Sequence, residues 1–427
     1  MAVVPNQASQ RDSRRTTLGL GLLIVSLLVI CSFDRILRHH IQLDWLNVIP
    51  LAATLYVGYC LIALEKTCGH ISFFRRRLAQ DASVPKPVGS FLVSHWLRSC
   101  LLLVVAAVAL EFGLRCLSYH RSLQYERQGD LLFTPVPDQS YIEKISLSRS
   151  SINGYGLRGG PVDSKPGKEK ILCLGDSITY GYGVDDANTY PARLQAALDH
   201  KYPGRYEVLN GGVEAYPIAF ENEKFLYLWN RGLRPDVVIV GYSMNEGFLG
   251  HLVDSSEEIK SQFARRVWLK NYLRSFALYN LVAENLARHY YDKMKNKLVP
   301  GTNFTMLSKE EVDKRYDGYL QRLVGDLRSR GVKPVFLLFC SFNNQTGSYN
   351  TEGPFESRFA DFALKNGIPL LRSDEMLRAG EAQNIDLAKY FIDLVHMNEH
   401  GTQKLAAQLS ELVPSMLERP LSAAAAE

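Results

Sequence analysis

The chain has no concentration of charge of one sign that would mark a nucleic-acid partner. Its 427 residues hold 49 Lys and Arg against 44 Asp and Glu, and the net charge of +5 is dispersed. A protein that binds nucleic acid gathers its basic residues on one face or along one helix. Cysteine is scarce and poorly placed for cross-linking. Of the seven, Cys31, Cys60, Cys68, Cys100 and Cys116 lie in or beside apolar segments, and Cys173 and Cys340 fall in runs that read as buried strands. Thiols in such places act as small hydrophobes, so no structural disulfide is expected. There is no CxxC pair and no paired Cys/His spacing of the kind that holds zinc. Internal repeats and long low-complexity segments are also lacking; only the Ala-rich end, 422–427, reads as frayed.

Apolar residues are plentiful but unevenly spread. Residues 16–33 and 45–64 contain no charged side chain. Each run approaches the roughly 20 residues that cross about 30 Å of hydrocarbon as a helix. A third run, 91–114, carries Arg98 and Glu111 toward its ends, where long side chains can snorkel to the interface. The first run follows a basic start (Arg11, Arg14, Arg15), as in a signal peptide, but leads to Asp34-Arg35 without an Ala-x-Ala site. Three transmembrane helices are therefore expected. Lys66, Arg75, Arg76, Arg77 and Lys86 lie between the second and third runs, against Arg35 and Arg38 between the first and second. Basic loops stay in the cytoplasm, which places everything after about residue 115 outside it, as in a bacterial inner-membrane protein with an extracytoplasmic domain. The expected organisation is a membrane region over 1–115, a linker and lead-in over 116–165, and a globular domain over 166–420.

In that domain short apolar runs alternate with helical patterns. Strands are expected at 171–174, 206–209, 237–240, 334–339 and 368–371, and helices at 191–200, 221–231, 309–330, 355–365 and 402–417. Strands apolar throughout and separated by helices form a parallel sheet covered on both faces, so the fold expected is a three-layer α/β/α domain. Ligands in such sheets gather at the carboxyl ends of the strands. A helical insertion is expected at about 248–305. Its core, 257–297, holds nine Lys and Arg against four acids, interleaved with Trp268, Tyr272, Phe276, Tyr279 and Tyr290. Two readings stand side by side: an insertion that buries its aromatics on the domain, or a basic aromatic flap over the site or against anionic headgroups.

The chemistry concentrates in two segments. Leu174-Gly175-Asp176-Ser177-Ile178-Thr179-Tyr180-Gly181 puts a serine two residues past a buried strand, close to helix-terminal N–H groups. Taken alone, Asp-Ser could be a helix cap. Near the last helix, Asp393 and His396 sit three residues apart. A serine hydroxyl needs a base to take its proton. Histidine supplies that base near neutral pH, and a carboxylate on its other nitrogen fixes the tautomer. A rival pattern, His396-Met397-Asn398-Glu399-His400, fits the H-x-x-E-H zinc signature. It sits before Gly401 at a loop-to-helix junction and leaves Ser177 and Asp393 unexplained.

The blocks from Gly154 to Leu417 resemble the GDSL/SGNH hydrolase family. Gly175-Asp176-Ser177-Ile178-Thr179 is similar to its first block, Asn210-Gly211-Gly212-Val213-Glu214-Ala215-Tyr216 to its second, and Asp393-Leu394-Val395-His396 to its last. Asn245, after the strand at 237–240, matches the Asn that ends the third block. The lead-in Asn153-Gly154-Tyr155-Gly156-Leu157-Arg158-Gly159 looks like that of membrane-anchored members. The resemblance implies a flavodoxin-like sheet, a Ser177-His396-Asp393 triad and an oxyanion hole from the N–H of Ser177, the N–H of Ala215 or Gly212, and the Asn245 amide. Two departures stand out: Ala215 where the second block has a glycine, and Ser243 where the third has one. The Ala215 donor is expected to persist if φ is negative there. Asp176 is expected to brace the nucleophile turn and not to act as the triad acid.

The implied function is a membrane-anchored serine esterase that works without metal or organic cofactor on an acyl ester, such as a cell-envelope glycan or lipid. Alternatives are an O-acetyltransferase acting on an exported polysaccharide and a non-catalytic glycan- or lipid-binding module.

Overall fold

A computed structural model describes residues 106–116, 122–129, 131–143, 146–163, 167–243, 252–294, 309–343, 346–382 and 385–418. The spans expected at 16–33 and 45–64, most of that at 91–114, and Asn245 lie outside these residues. Contacts divide the chain into two units, Met1–Tyr119 and His120–Glu427. Of the first unit, residues 106–116 are described, and they are helical. No described helix is long and apolar enough to cross a membrane.

The second unit begins with two antiparallel hairpins in the stretch expected as linker and lead-in. Strands β1 (Tyr125–Gln128) and β2 (Leu131–Pro135) form one, and β3 (Gln139–Ile142) and β4 (Arg149–Ile152) the other. After them come β5 (Glu169–Leu174), the short helix α1 (Ser177–Tyr180), α2 (Tyr190–Lys201), β6 (Tyr206–Asn210), α3 (Ile218–Asn230) and β7 (Val237–Tyr242). Two long helices follow, α4 (Glu257–Arg274) and α5 (Ala277–Met294), and then α6 (Lys309–Ser329) and β8 (Lys333–Leu338). The chain closes with the small hairpin β9 (Ser341–Asn343) and β10 (Ser348–Asn350), α7 (Pro354–Lys365), β11 (Leu370–Arg372), α8 (Ser373–Arg378) and α9 (Glu399–Glu418).

The central sheet has five strands in the order β11-β8-β7-β5-β6, all parallel. Side chains alternate across a strand, and the cores divide accordingly. Ile171 and Cys173 of β5 join Leu194 and Leu198 of α2 and Leu405 and Leu409 of α9 on one face. Leu172 and Leu174 join Phe225 of α3, Leu320 and Leu323 of α6 and Phe359 of α7 on the other. Burial on both faces makes these strands continuous apolar runs. Local signals set the ends: Thr189 caps α2 by accepting from the Ala192 N–H, with Pro191 in the first turn. Strand β11 starts at Leu370, later than the apolar run that begins at Ile368, because Pro369 has no N–H to give the ladder.

Beyond β5 the chain goes to β6 on one side, and beyond β7 it goes to β8 on the other. The β5/β7 boundary is thus the switch point of the sheet, where a crevice opens at the carboxyl ends. Ser177 follows β5 there.

The hairpins are fastened to this frame. Arg158 N–H donates to Asn210 O at 3.0 Å, joining the lead-in to the edge strand β6. The fully buried Lys224 of α3 donates from Nζ to Thr134 Oγ1 on β2 and, at 3.0 Å, to Gly156 O. Burial, with Arg231 nearby, lowers the pKa of this amine to about 7.

Candidate active site

Three side chains far apart in sequence meet at the switch point. His396 Nε2 lies 2.9 Å from Ser177 Oγ, and His396 Nδ1 lies 2.8 Å from Asp393 Oδ2. The second carboxylate oxygen, Asp393 Oδ1, accepts from the backbone N–H groups of Val395 (2.8 Å) and His396 (2.7 Å). One Asp therefore both shapes the loop and orients the imidazole. The loop is pinned from outside as well: a bridge joins Phe391 to Met397, Phe342 N–H donates to Leu394 O at 2.8 Å, and Tyr349 Oη donates to Asp393 O at 2.7 Å. Burial alone would pull the His396 pKa down. The bonded Asp393 carboxylate, aided by Asp176 and Glu214, outweighs it, and the pKa stands above its ordinary value.

The turn that carries Ser177 is equally constrained. Asp176 caps α1, its Oδ1 accepting from the Ile178 N–H at 2.8 Å, while Ser243 Oγ donates to its Oδ2. Asp176 thus braces the turn, and the serine that departs from the family's third block has its hydroxyl engaged beneath it. Burial raises the Asp176 pKa, against the lowering pull of Ser243 and Ile178. Gly175, at φ +150°, has no room for a side chain: a Cβ there would lie 2.2 Å from Thr179 Oγ1.

Residues 173–404, more than half of the chain, match the model of the GDSL-like Lipase/Acylhydrolase family. The chain belongs to this family. Similar solved structures include the psychrotrophic esterase EstA from Pseudoalteromonas sp. (14% identity, 59% of this chain and 100% of that one, TM-score 0.34). Others are LAE5, an alpha/beta hydrolase enzyme from the metagenome of Lake Arreo, Spain (18% identity, 59% and 97%, TM-score 0.35), and CEX, a two-domain esterase active on acetylated mannans (16% identity, 60% and 54%, TM-score 0.32). No curated protein sequence matches the chain.

Within the GDSL frame, the second block is where the structure departs from expectation. Ala215 has φ +61°, so the condition of a negative φ set for its donor is not met. Tyr216 N–H closes on Val213 O at 3.2 Å, so Ala215 is the third residue of a tight turn, a position that often requires left-handed backbone. Gly212 does not serve as the alternative donor, because its N–H is taken by Asn210 Oδ1 at 3.1 Å. Its contribution is steric: a Cβ on Gly212 would lie 2.3 Å from Tyr180 N, so only glycine lets this loop lie against α1. Neither Ser177 nor Ala215 donates its N–H to another described residue. An L-residue held left-handed is strained by about 1 kcal/mol. Ala215→Gly is therefore expected to raise stability by about 0.5–1 kcal/mol, read as a higher Tm with ester turnover kept. A lower Tm would show that the turn stores no strain.

Other residues at the site were not anticipated for it. The Tyr182 ring backs the imidazole, with centroids 4.6 Å apart. Arg158 is 5% exposed and grips the far end of α1. Its Nη1 donates to Tyr180 O (2.8 Å) and Gly181 O (2.7 Å), its Nη2 to Val184 O (2.6 Å), and its Nε to Asp186 Oδ1 (2.8 Å). The glycines flanking Tyr182 and the arginine in the Gly-rich lead-in were the available signals. The His396–His400 zinc pattern is divided: the imidazole of His396 has both nitrogens engaged, and His400 is exposed in the first turn of α9. Among the described residues no cluster of three His, Cys, Asp or Glu is placed to hold a metal. Cys173 and Cys340 are buried free thiols.

Proposed function

We propose that this chain is a membrane-anchored serine esterase that hydrolyses an O-acyl ester through an acyl-enzyme on Ser177. The observation that carries this reading is the unbroken hydrogen-bonded chain from Ser177 Oγ through His396 to Asp393. His396 Nε2 takes the hydroxyl proton as Ser177 Oγ attacks the ester carbonyl, and Asp393 stabilises the imidazolium. The tetrahedral oxyanion is held by the N–H of Ser177, by the N–H of Ala215, which has no described acceptor although its φ is positive, and by the Asn245 amide. His396 then protonates the departing alcohol. Water, deprotonated by the same imidazole, cleaves the acyl-enzyme and releases the acid. The charge-free runs at 16–33 and 45–64 support anchorage in a bilayer, and with the basic loop at 66–86 inside, a third span at 91–114 carries the catalytic unit outside. A natural substrate would then be an O-acyl group on an envelope glycan or lipid.

The test is a fluorophosphonate probe on the full chain, followed by a p-nitrophenyl ester panel with and without a sugar acceptor. Labelling mapped to Ser177 and release of free acid are expected. A wild-type protein that stays unlabelled would sink the enzyme reading and favour a binding module. Acyl transfer to the sugar in place of water would make it a transferase.

A further inference from the structure

Helix α4 is held on one flank and open on the other. Phe263 and Val267 pack against the cluster of Leu131, Phe133 and Phe220. Asn271 brackets the Tyr125 backbone, its Oδ1 accepting from the N–H at 3.2 Å and its Nδ2 donating to the carbonyl. Arg274 Nη1 donates to Leu123 O. These contacts fix the rotation of the helix, and so decide what faces solvent.

The solvent flank is aromatic and basic. Arg265, Trp268, Leu269 and Tyr272 recur at i, i+3, i+4 and i+7, the spacing of one helical stripe. Trp268 is 65% exposed and Tyr272 53%, and Phe276 continues the row past the helix end. The rings form a ladder: Trp268 stacks on Tyr272 at 5.8 Å, and Tyr272 meets Phe276 edge-on at 5.4 Å. On α5, Val282 and Leu286 are exposed one turn apart. Arg265, Arg266 and Lys270 are exposed beside the ladder. Between Glu258 and Glu284 there is no acidic residue, while Lys260, Arg265, Arg266, Lys270 and Arg274 are basic.

A continuous row of exposed aromatic side chains rimmed by basic ones marks an interaction surface. Amphipathic Trp and Tyr rings belong at the level of lipid headgroups, and basic residues among them are drawn to anionic lipid. We propose that the α4–α5 pair is a membrane-docking surface that lies in the plane of the bilayer against anionic phospholipid headgroups, with the Trp268–Tyr272–Phe276 ladder seated among them. The surface is linked to the site: Tyr125, held by Asn271, donates from Oη to Glu214 Oε2 at 3.4 Å, beside Ala215. Resting on the esterase reading, docking presents the Ser177 crevice to esters at the lipid surface.

The test uses the full chain in nanodiscs of phosphatidylcholine alone or mixed with phosphatidylglycerol. Trp268 emission is isolated by subtracting the Trp268→Phe spectrum, and brominated lipid serves as quencher. Quenching is expected in the phosphatidylglycerol discs and is lost in the double variant Arg265→Glu/Arg266→Glu. That variant should also hydrolyse a lipid-borne ester about tenfold more slowly while its turnover of soluble p-nitrophenyl acetate is unchanged. No quenching in either disc overturns the proposal. So does shielding of Trp268 from aqueous iodide in phosphatidylcholine discs that show no quenching by brominated lipid, since a second copy or the N-terminal residues of the chain would then cover the ladder. If the wild type fails on p-nitrophenyl acetate, the esterase reading falls while the quenching result still decides docking.

Discussion

Ser177→Ala is expected to lower acyl-ester turnover by on the order of 10⁶-fold and to abolish fluorophosphonate labelling, with KM little changed. The size follows from what the hydroxyl does. Without Oγ there is no acyl-enzyme, so His396 loses the atom it deprotonates and Asp393 has no imidazolium to stabilise. Members of such a triad act as a unit, so deleting the nucleophile removes nearly the whole of their joint effect. The residual rate comes from the oxyanion donors and from substrate binding, which leave some catalysis over water. The fold should be unaffected, because the hydroxyl's described contact is with His396 and the turn is held by the Asp176 carboxylate. Turnover within about tenfold of wild type would remove Ser177 from the mechanism.

Asp393→Asn should cost about 10⁴-fold in kcat/KM and also move its pH dependence. The imidazole must be neutral to accept the serine proton. In the wild type its pKa is raised above the ordinary 6.5, so activity climbs with pH along a limb displaced to the alkaline side of that value. Asparagine removes the negative charge that outweighs burial. Burial then prevails, the imidazole pKa falls, and the acid limb moves to lower pH even as the plateau drops. The introduced amide can also turn its NH₂ toward Nδ1, which favours the tautomer that leaves Nε2 protonated and unable to act as base. A pH–rate series on both proteins checks the two effects together. A large rate loss with an unmoved limb would mean that Asp393 acts only on geometry.

The parallel sheet was legible because its strands are buried on both faces. Ile171 to Leu174 and Val237 to Val240 are unbroken apolar runs, and the helices between them start at recognisable caps such as Thr189 with Pro191. Ser177, Asp393 and His396 were legible because each sits at a junction where a strand, a turn or a helix start constrains the chain. The hairpins at 125–152 were not. Their four- and five-residue strands mix polar and apolar residues, and their stability comes from distant partners such as Lys224. Backbone direction was also beyond the sequence. Nothing in Val213-Glu214-Ala215-Tyr216 requires a left-handed alanine until the closing bond from Tyr216 to Val213 is known. The destination of the Gly212 N–H was hidden for the same reason, since it depends on how Asn210 turns its amide. The aromatic residues of α4 divided between the two readings: Phe263 is packed inward, while Trp268 and Tyr272 stand in solvent.

The grip of Arg158 on the end of α1 bears on where this enzyme can be cut. The family signature opens at Cys173, yet the guanidinium that neutralises the carbonyls of Tyr180, Gly181 and Val184 comes from upstream of it. A fragment trimmed to the signature would leave those oxygens facing a hole of just that shape, with Ser177 one helical turn away. The smallest self-sufficient catalytic piece is therefore longer than the segment that identifies its ancestry, and a useful truncation must begin ahead of Arg158.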